Sequence, residues 1–385
     1  MQIPWRNSRR FLGKIFNQPV YAGKVAAKRS KAYYAYYAGN GEAGLPEAVT
    51  LFLTHRCNLR CRMCGQWGDQ GVTRNKPAGD RTADMPVEDM KKIIDDIASF
   101  RPNITLFGGE PLLHRHAHEL IGYIKKKELH CLMITNGSML SRYGHGLVES
   151  GLDELNVSVD GGMELHDEIR GVPGLYSRIM DGLKEVTDLK EKMKTKTPLI
   201  NLQCTINRHN YRHLEQMVTV AEEIRANSLT FHNLIFLDRD TMEKQLEFDR
   251  MLDCSSLNWE GFVCEPQVDP EALHAKIKDI SRSKPDFPID MYPNFSKEQL
   301  NDYYLNPSYA PSNGQGRCVS PWMTGYIFPD GELRPCLNFD YSFGNVRAES
   351  FAEVWNSEKA VRFRSTVREN RMLPACVRCT ELYRY

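Results

Sequence analysis

The first forty residues contain no aspartate or glutamate, in a chain of 385 residues that holds 49 of them. Nowhere do 18 apolar residues run together, which excludes a membrane-spanning helix. The N-terminus lacks the apolar core of a secretory signal, so the chain is expected in the cytoplasm. There, eleven cysteines read as metal ligands and buried thiols rather than as a disulfide framework. No internal repeat and no low-complexity tract is present, which sets aside solenoids and disordered arrays. What is there has a globular balance, 41% hydrophobic and 26% charged. Fifty basic against 49 acidic residues leave a net charge of +1, so no nucleic-acid partner is expected.

The acid-free segment carries Arg6, Arg9, Arg10, Lys14, Lys24, Lys28, Arg29 and Lys31, interleaved with Trp5, Phe11, Phe16, Tyr21, Tyr33, Tyr34, Tyr36 and Tyr37. Residues 1–45 therefore read as a short basic helical arm, ending near Gly39-Asn40-Gly41. Such an arm either packs its aromatics on the main body or makes a peripheral contact with the inner face of an anionic membrane.

From residue 48 strands and helices alternate. Strands are expected at 49–53, 104–107, 132–134, 155–159, 200–206 and 229–235. Helices are expected after Pro86, through His118, Ile121 and Ile124, from Tyr176 to Met193, and near 211–226. Six such units imply α/β architecture with a parallel sheet. Polar and glycine-rich segments end nearly every strand, where barrel enzymes keep their chemistry, although a flat doubly wound sheet has the same rhythm. The rhythm stops near residue 240. Helices follow at 269–271 and 295–304, then a hairpin from Trp322 to Pro335 that turns at Asp330-Gly331, and a helix opened by the Ser350/Glu353 capping box.

Cys57, Cys61 and Cys64 stand in a C-x3-C-x2-C run just after the first strand. Three thiolates on a four-iron cluster leave one iron open to a small molecule, whereas structural zinc takes four ligands and this loop offers no obvious fourth. This run resembles the signature of the radical S-adenosylmethionine (SAM) superfamily. Gly108-Gly109-Glu110-Pro111 at the end of the second strand resembles that family's GGE motif. Thr135-Asn136-Gly137 and Ser158-Val159-Asp160-Gly161 are similar to its loops after the third and fourth strands. The resemblance covers roughly residues 48–237 and implies a partial (β/α)6 TIM-like barrel. It also implies a SAM-binding [4Fe-4S] cluster on the three cysteines, with Gly108, Gly109, Glu110, Asn136, Ser158, Asp160 and Arg170 around SAM. Arg170 would meet the SAM carboxylate. Met63 stands where the family often places an aromatic residue, and its thioether would pack on the adenine.

Cys318, Cys336, Cys376 and Cys379 form a second set, with Gly331 five positions before Cys336 and no cysteine between Cys336 and Cys376. Four thiolates fit zinc or a fully ligated iron–sulfur cluster. The pattern resembles the twitch domain, the short form of the SPASM domain, and implies one auxiliary [4Fe-4S] cluster with four cysteine ligands. The resulting division is an arm at 1–45, a radical SAM core at 46–240, a helical linker region at 241–312 and a small α+β cysteine-rich domain at 313–385. The expected activity is cleavage of SAM to a 5′-deoxyadenosyl radical, fed by an external one-electron reductant such as flavodoxin or ferredoxin. The radical takes hydrogen from a sugar, a lipid-linked or another small molecule, and the auxiliary cluster accepts an electron. A peptide- or protein-modifying maturase is one alternative, and a non-catalytic electron-transfer or metal-stabilised binding protein is another. The catalytic residue itself is unknown from the sequence. Cys131 and Cys204 read as packing thiols, and His114, His116 and His118 as a helix start.

Overall fold

The computed structural model describes residues 19–311 and 316–384. Seven strands follow one another in parallel: β1 (Ala48–Phe52), β2 (Asn103–Phe107), β3 (Cys131–Thr135), β4 (Glu154–Ser158), β5 (Leu199–Thr205), β6 (Ser228–His232) and β7 (Ile289–Tyr292). β8 (Thr324–Ile327) joins the free edge of β1, also in parallel, and β9 (Glu332–Arg334) and β10 (Gly344–Asn345) follow antiparallel. All ten belong to one sheet, a partial barrel extended by a C-terminal hairpin.

Alternation along the strands sorts the two faces. Leu106, Met133, Val157, Leu202 and Phe231 are fully buried, along with Ile94, Leu120, Ile179 and Leu183 of the surrounding helices. Thr105, Asn156, Ser158, Asn201, Gln203, Thr230 and His232 point the other way and stay partly exposed, giving a polar lumen. A separate apolar cluster lies on the lumen side of β1 and β8, made by Phe52, Tyr326 and Phe328 with Phe107, Cys336 and Leu337.

Several helices were not foreseen, three of them in the barrel and the region after it. Leu140–Glu149 holds two glycines, a poor helix composition, but Gly144 and Gly182 let it press against the helix Leu175–Met193. A Cβ on Gly182 would lie 2.6 Å from that of Leu140. Met163–Arg170 and Arg239–Leu252 carry mostly polar sequence and show only a weak apolar stripe. β7 also falls where only helices were expected. Its four residues sit between Pro288 and Pro293, too short for an alternation to show. The helix expected to start at 269–271 is present and runs over Pro270–Ser283, with Asp269 accepting from the Glu271 and Ala272 amides. The hairpin turn has Gly331 at φ +86°, and the Ser350/Glu353 capping box is formed.

The arm is helical over Pro19–Ala38; its residues 1–18 lie outside the described residues. Tyr36 is buried edge-on to Trp322 at 5.0 Å, Arg29 pairs with Glu47 at 2.8 Å, and Lys28 donates to the Phe100 carbonyl. Its described part thus packs on the body. Among the described residues no helix is long and apolar enough to cross a membrane.

Candidate active site

The strand ends converge on Cys57, Cys61 and Cys64. The turn after β2 lies directly on the segment that leads into them: the Gly109 amide donates to the Thr54 carbonyl at 2.9 Å and the Glu110 amide to that of Arg56 at 2.8 Å. No side chain fits between the two segments. A Cβ on Gly109 would stand 2.2 Å from the Arg56 oxygen, and Gly108 has φ +154° with a Cβ position 2.6 Å from the Thr54 oxygen. The two glycines are therefore what lets the cysteine loop seat against the sheet.

Glu110 is fully buried. Its carboxylate accepts from the Leu112 amide at 3.0 Å, the Thr135 hydroxyl at 2.7 Å and the Asn136 amide at 2.8 Å. Desolvation raises its pKa, against those three donors. It clamps the loop after β3 to the loop after β2. Asn136, so held, points its side-chain nitrogen at Cys57 Sγ (3.9 Å) and at Asn58. Asp160 is fully buried and takes both Arg170 Nε and Nη2 at 2.6 Å, while Arg170 Nη1 reaches Cys61 Sγ at 3.7 Å. Arg170, expected to meet a SAM carboxylate, is thus already engaged by Asp160 and Cys61. The Trp67 amide donates to Cys64 Sγ at 3.3 Å. Ser158 ends β4 on the lumen face with no partner for its hydroxyl among the described residues, and Met63 is half-buried against the core.

All three thiols therefore receive an N–H donor, a donor set suited to anionic sulfur ligands. Burial pushes Cys57 up to about 12 and raises Cys61, so iron binding here has to expel protons. The residues present fit a three-thiolate iron–sulfur cluster.

Cys318, Cys336, Cys376 and Cys379 come together at the C-terminal end: after burial, Cys376 is pushed up by Cys318, Cys379 and Cys336, and Cys379 by Glu381, Cys318 and Cys336. Burial likewise lifts Cys318 to about 12 and Cys336 to about 11. Among the described residues no group of three or more ligating side chains is gathered tightly enough for a single ion. All eleven thiols are free. Arg378, inside the C-x2-C turn, is buried; it donates to the carbonyls of Tyr303 and Asn306 and lies 4.2 Å over Phe236. The Ala375 amide donates to Gln245, fully buried on the helix Arg239–Leu252. Neither residue carries a motif, so the sequence reading missed both.

The two sites share one wall. Cys336 packs on the Phe52–Tyr326–Phe328 cluster, Phe52 and Phe328 stack at 5.0 Å, and the His55 ring lies 4.8 Å from Phe52, two residues before Cys57. Across the lumen His232 Nε2 hydrogen-bonds Gln203 Oε1, and its ring stands edge-on to Tyr292 at 5.7 Å. Burial lowers its pKa to about 4, so it is neutral near pH 7. No spacing pattern marks it; only its place on a lumen-facing strand position does. His114, His116 and His118 stay on the outside of the sheet, bonded to Met85, Glu119 and Tyr143.

Comparison with known proteins agrees with this geometry. Residues 51–218 match the model of the radical SAM superfamily, and residues 318–380 that of an iron–sulfur cluster-binding domain, SPASM. Among curated proteins, the Fe-coproporphyrin III synthase of Methanosarcina barkeri is 29% identical over 325 residues, covering 80% of this chain and 73% of its own. The PqqA peptide cyclase of Rhodopseudomonas palustris is 24% identical, covering 84% and 77%. Among solved structures, Streptococcus suis SuiB superposes with a TM-score of 0.60 at 14% identity, over 91% of this chain and 76% of SuiB, a likeness of fold.

Proposed function

This chain is a radical SAM enzyme with a C-terminal SPASM-type domain, and from that premise we propose that it carries out a net oxidation of a small molecule held in the barrel lumen. The observation that carries the reading is the shared wall: the four-thiol site borders the lumen through Cys336 and is built on the same sheet as the three-thiol loop. A cluster on Cys57, Cys61 and Cys64 would supply the electron that splits SAM into methionine and a 5′-deoxyadenosyl radical. A fully ligated [4Fe-4S] cluster on Cys318, Cys336, Cys376 and Cys379 would accept the electron that the substrate gives up; zinc has no such chemistry. Gly108, Gly109 and Glu110 shape the loop on which SAM sits, and Asn136, Ser158, Asp160, Arg170 and Met63 border it. The polar strand positions would hold the substrate, and the curved sheet around them would shield the reacting carbon from water.

By name, curated relatives include a Fe-coproporphyrin III synthase, heme synthases, a cofactor-modifying protein and a peptide cyclase. We take the small-molecule class because the lumen pairs a polar wall with a flat aromatic one, which suits a ring-shaped substrate. Electrons come from an external one-electron donor such as flavodoxin or ferredoxin in the cytoplasm. Any contact with an anionic membrane face is made by the basic arm.

Iron, acid-labile sulfide and zinc per chain, measured after oxygen-free reconstitution, test the oxidation. About eight irons and eight sulfides are expected, at four per cluster. About four of each with one zinc would overturn it in favour of redox-neutral radical chemistry. Iron porphyrins and short peptides are the first two classes of compound to offer, read by substrate-dependent 5′-deoxyadenosine formation.

A further inference from the structure

Three donors to the first cysteine loop come from three different parts of the chain. Trp67 N lies three residues beyond Cys64 and donates to it at 3.3 Å. Asn136 Nδ2 comes from the loop after β3 and reaches Cys57 at 3.9 Å. Arg170 Nη1 comes from the last turn of the helix Met163–Arg170 and reaches Cys61 at 3.7 Å. Each sulfur has a donor from outside the C-x3-C-x2-C run, Cys57 taking the Leu59 amide as well, and the two side-chain donors are braced from behind. Asn136 has its Oδ1 tied to the Ser138 amide and its own amide tied to the fully buried Glu110. Arg170 has two of its nitrogens fixed on the fully buried Asp160, whose other oxygen accepts from the Thr205 amide. Four buried polar groups are spent on aiming two nitrogens at sulfur.

We propose that Asn136 and Arg170 set the reduction potential of the cluster on Cys57, Cys61 and Cys64 by donating hydrogen bonds to its sulfur ligands, with Glu110 and Asp160 as their positioning residues. The inference rests on the reading that this loop holds an iron–sulfur cluster. The physical ground is general: a donor to a thiolate ligand stabilises the more negative, reduced state of the cluster, so losing it lowers the potential. Arg170 adds a full positive charge next to Cys61, of the same sign. The arrangement eases the first electron into a cluster whose surroundings are otherwise buried and unfavourable to added charge. It also gives Arg170 work that the family resemblance does not: it faces the cluster ligand rather than the carboxylate of SAM.

The test is a redox titration of the reconstituted full-length enzyme, followed by the electron paramagnetic resonance of the reduced clusters, with the C-terminal cluster as internal reference. Asn136→Leu removes a donor without adding charge. Arg170→Lys keeps the charge and loses the fork, so it spares Asp160 an unpaired burial. With four irons retained at the loop, each variant is expected to lower the reduced-to-oxidised ratio at a fixed potential about tenfold, equivalent to about 59 mV for one electron. The C-terminal cluster should stay where it was. A change under threefold in both variants overturns the proposal while leaving the cluster reading intact. Wild-type protein that takes up no iron at Cys57, Cys61 and Cys64 overturns that reading and the proposal with it, and iron analysis separates this outcome before any titration.

Discussion

Gly109 has room for a hydrogen and nothing larger, with the Arg56 carbonyl 2.2 Å from where a methyl group would go. Gly109→Ala is therefore expected to push the cysteine loop off the sheet at a cost of about 1–3 kcal/mol. Iron should fall from about eight to about four per chain, read by metal analysis of the reconstituted protein. Cys57→Ala should have the same iron content and no SAM cleavage, read as the loss of 5′-deoxyadenosine. Two histidines give a pH dependence. Burial lowers His232 to about 4, and burial with Arg170 nearby lowers His166 to about 3. Both fall below the ordinary 6.5, so the unfolded chain binds more protons in acid. Their stabilisation is complete above pH 6.5 and is lost as pH falls toward 4. Between pH 7 and pH 5 each should cost roughly 2 kcal/mol, seen as a lower urea midpoint, with His232→Gln removing one share. At this scale the sequence was legible where chemistry fixes a spacing: C-x3-C-x2-C and the glycine pair. The Asp160–Arg170 pair and the Glu110 clamp were not, because which partner a buried charge chooses depends on neighbours far along the chain.

The strands β1 to β6 could be read because each is an apolar run ended by a glycine or polar turn. β7 and the helix Arg239–Leu252 could not: one is too short to alternate, the other too polar to show a stripe. That helix nonetheless bears on the C-terminal thiols, since Gln245 accepts the Ala375 amide and is itself tied to Asp249. Gln245→Leu leaves that buried amide without an acceptor, a cost of about 1–3 kcal/mol placed one residue from Cys376. The expected result is loss of about four irons, with SAM cleavage by chemically reduced enzyme retained. Loss of all eight, or of none, would show that the helix does not act on that site alone.

The molecule is bound into one piece by hydrogen bonds that run between distant parts of the chain. β8 covers β1, while on the other side the Tyr292 hydroxyl donates to the Thr380 carbonyl and Tyr304 to Asn233, so the C-terminal turns span from β7 to the hairpin. Arg364, fully buried, links the Pro321 and Gly41 carbonyls and so joins hairpin to arm. A chain ending at residue 311 should leave the β1 edge bare and be found in the pellet after centrifugation. Vesicle flotation of the full chain against one starting at residue 41 tests the arm; equal flotation removes the membrane from its role.

The pairing of β8 with β1 also sets a schedule for making the protein. About 270 residues separate the end of β1 from the start of β8. At 5–20 residues per second a ribosome takes roughly 15–55 s to cover that distance. For all of that time one edge of β1 lacks the strand that pairs with it in the folded protein. Chaperone occupancy during translation, and a four-thiol site completed only once Cys379 has been made, are expected from that order of synthesis.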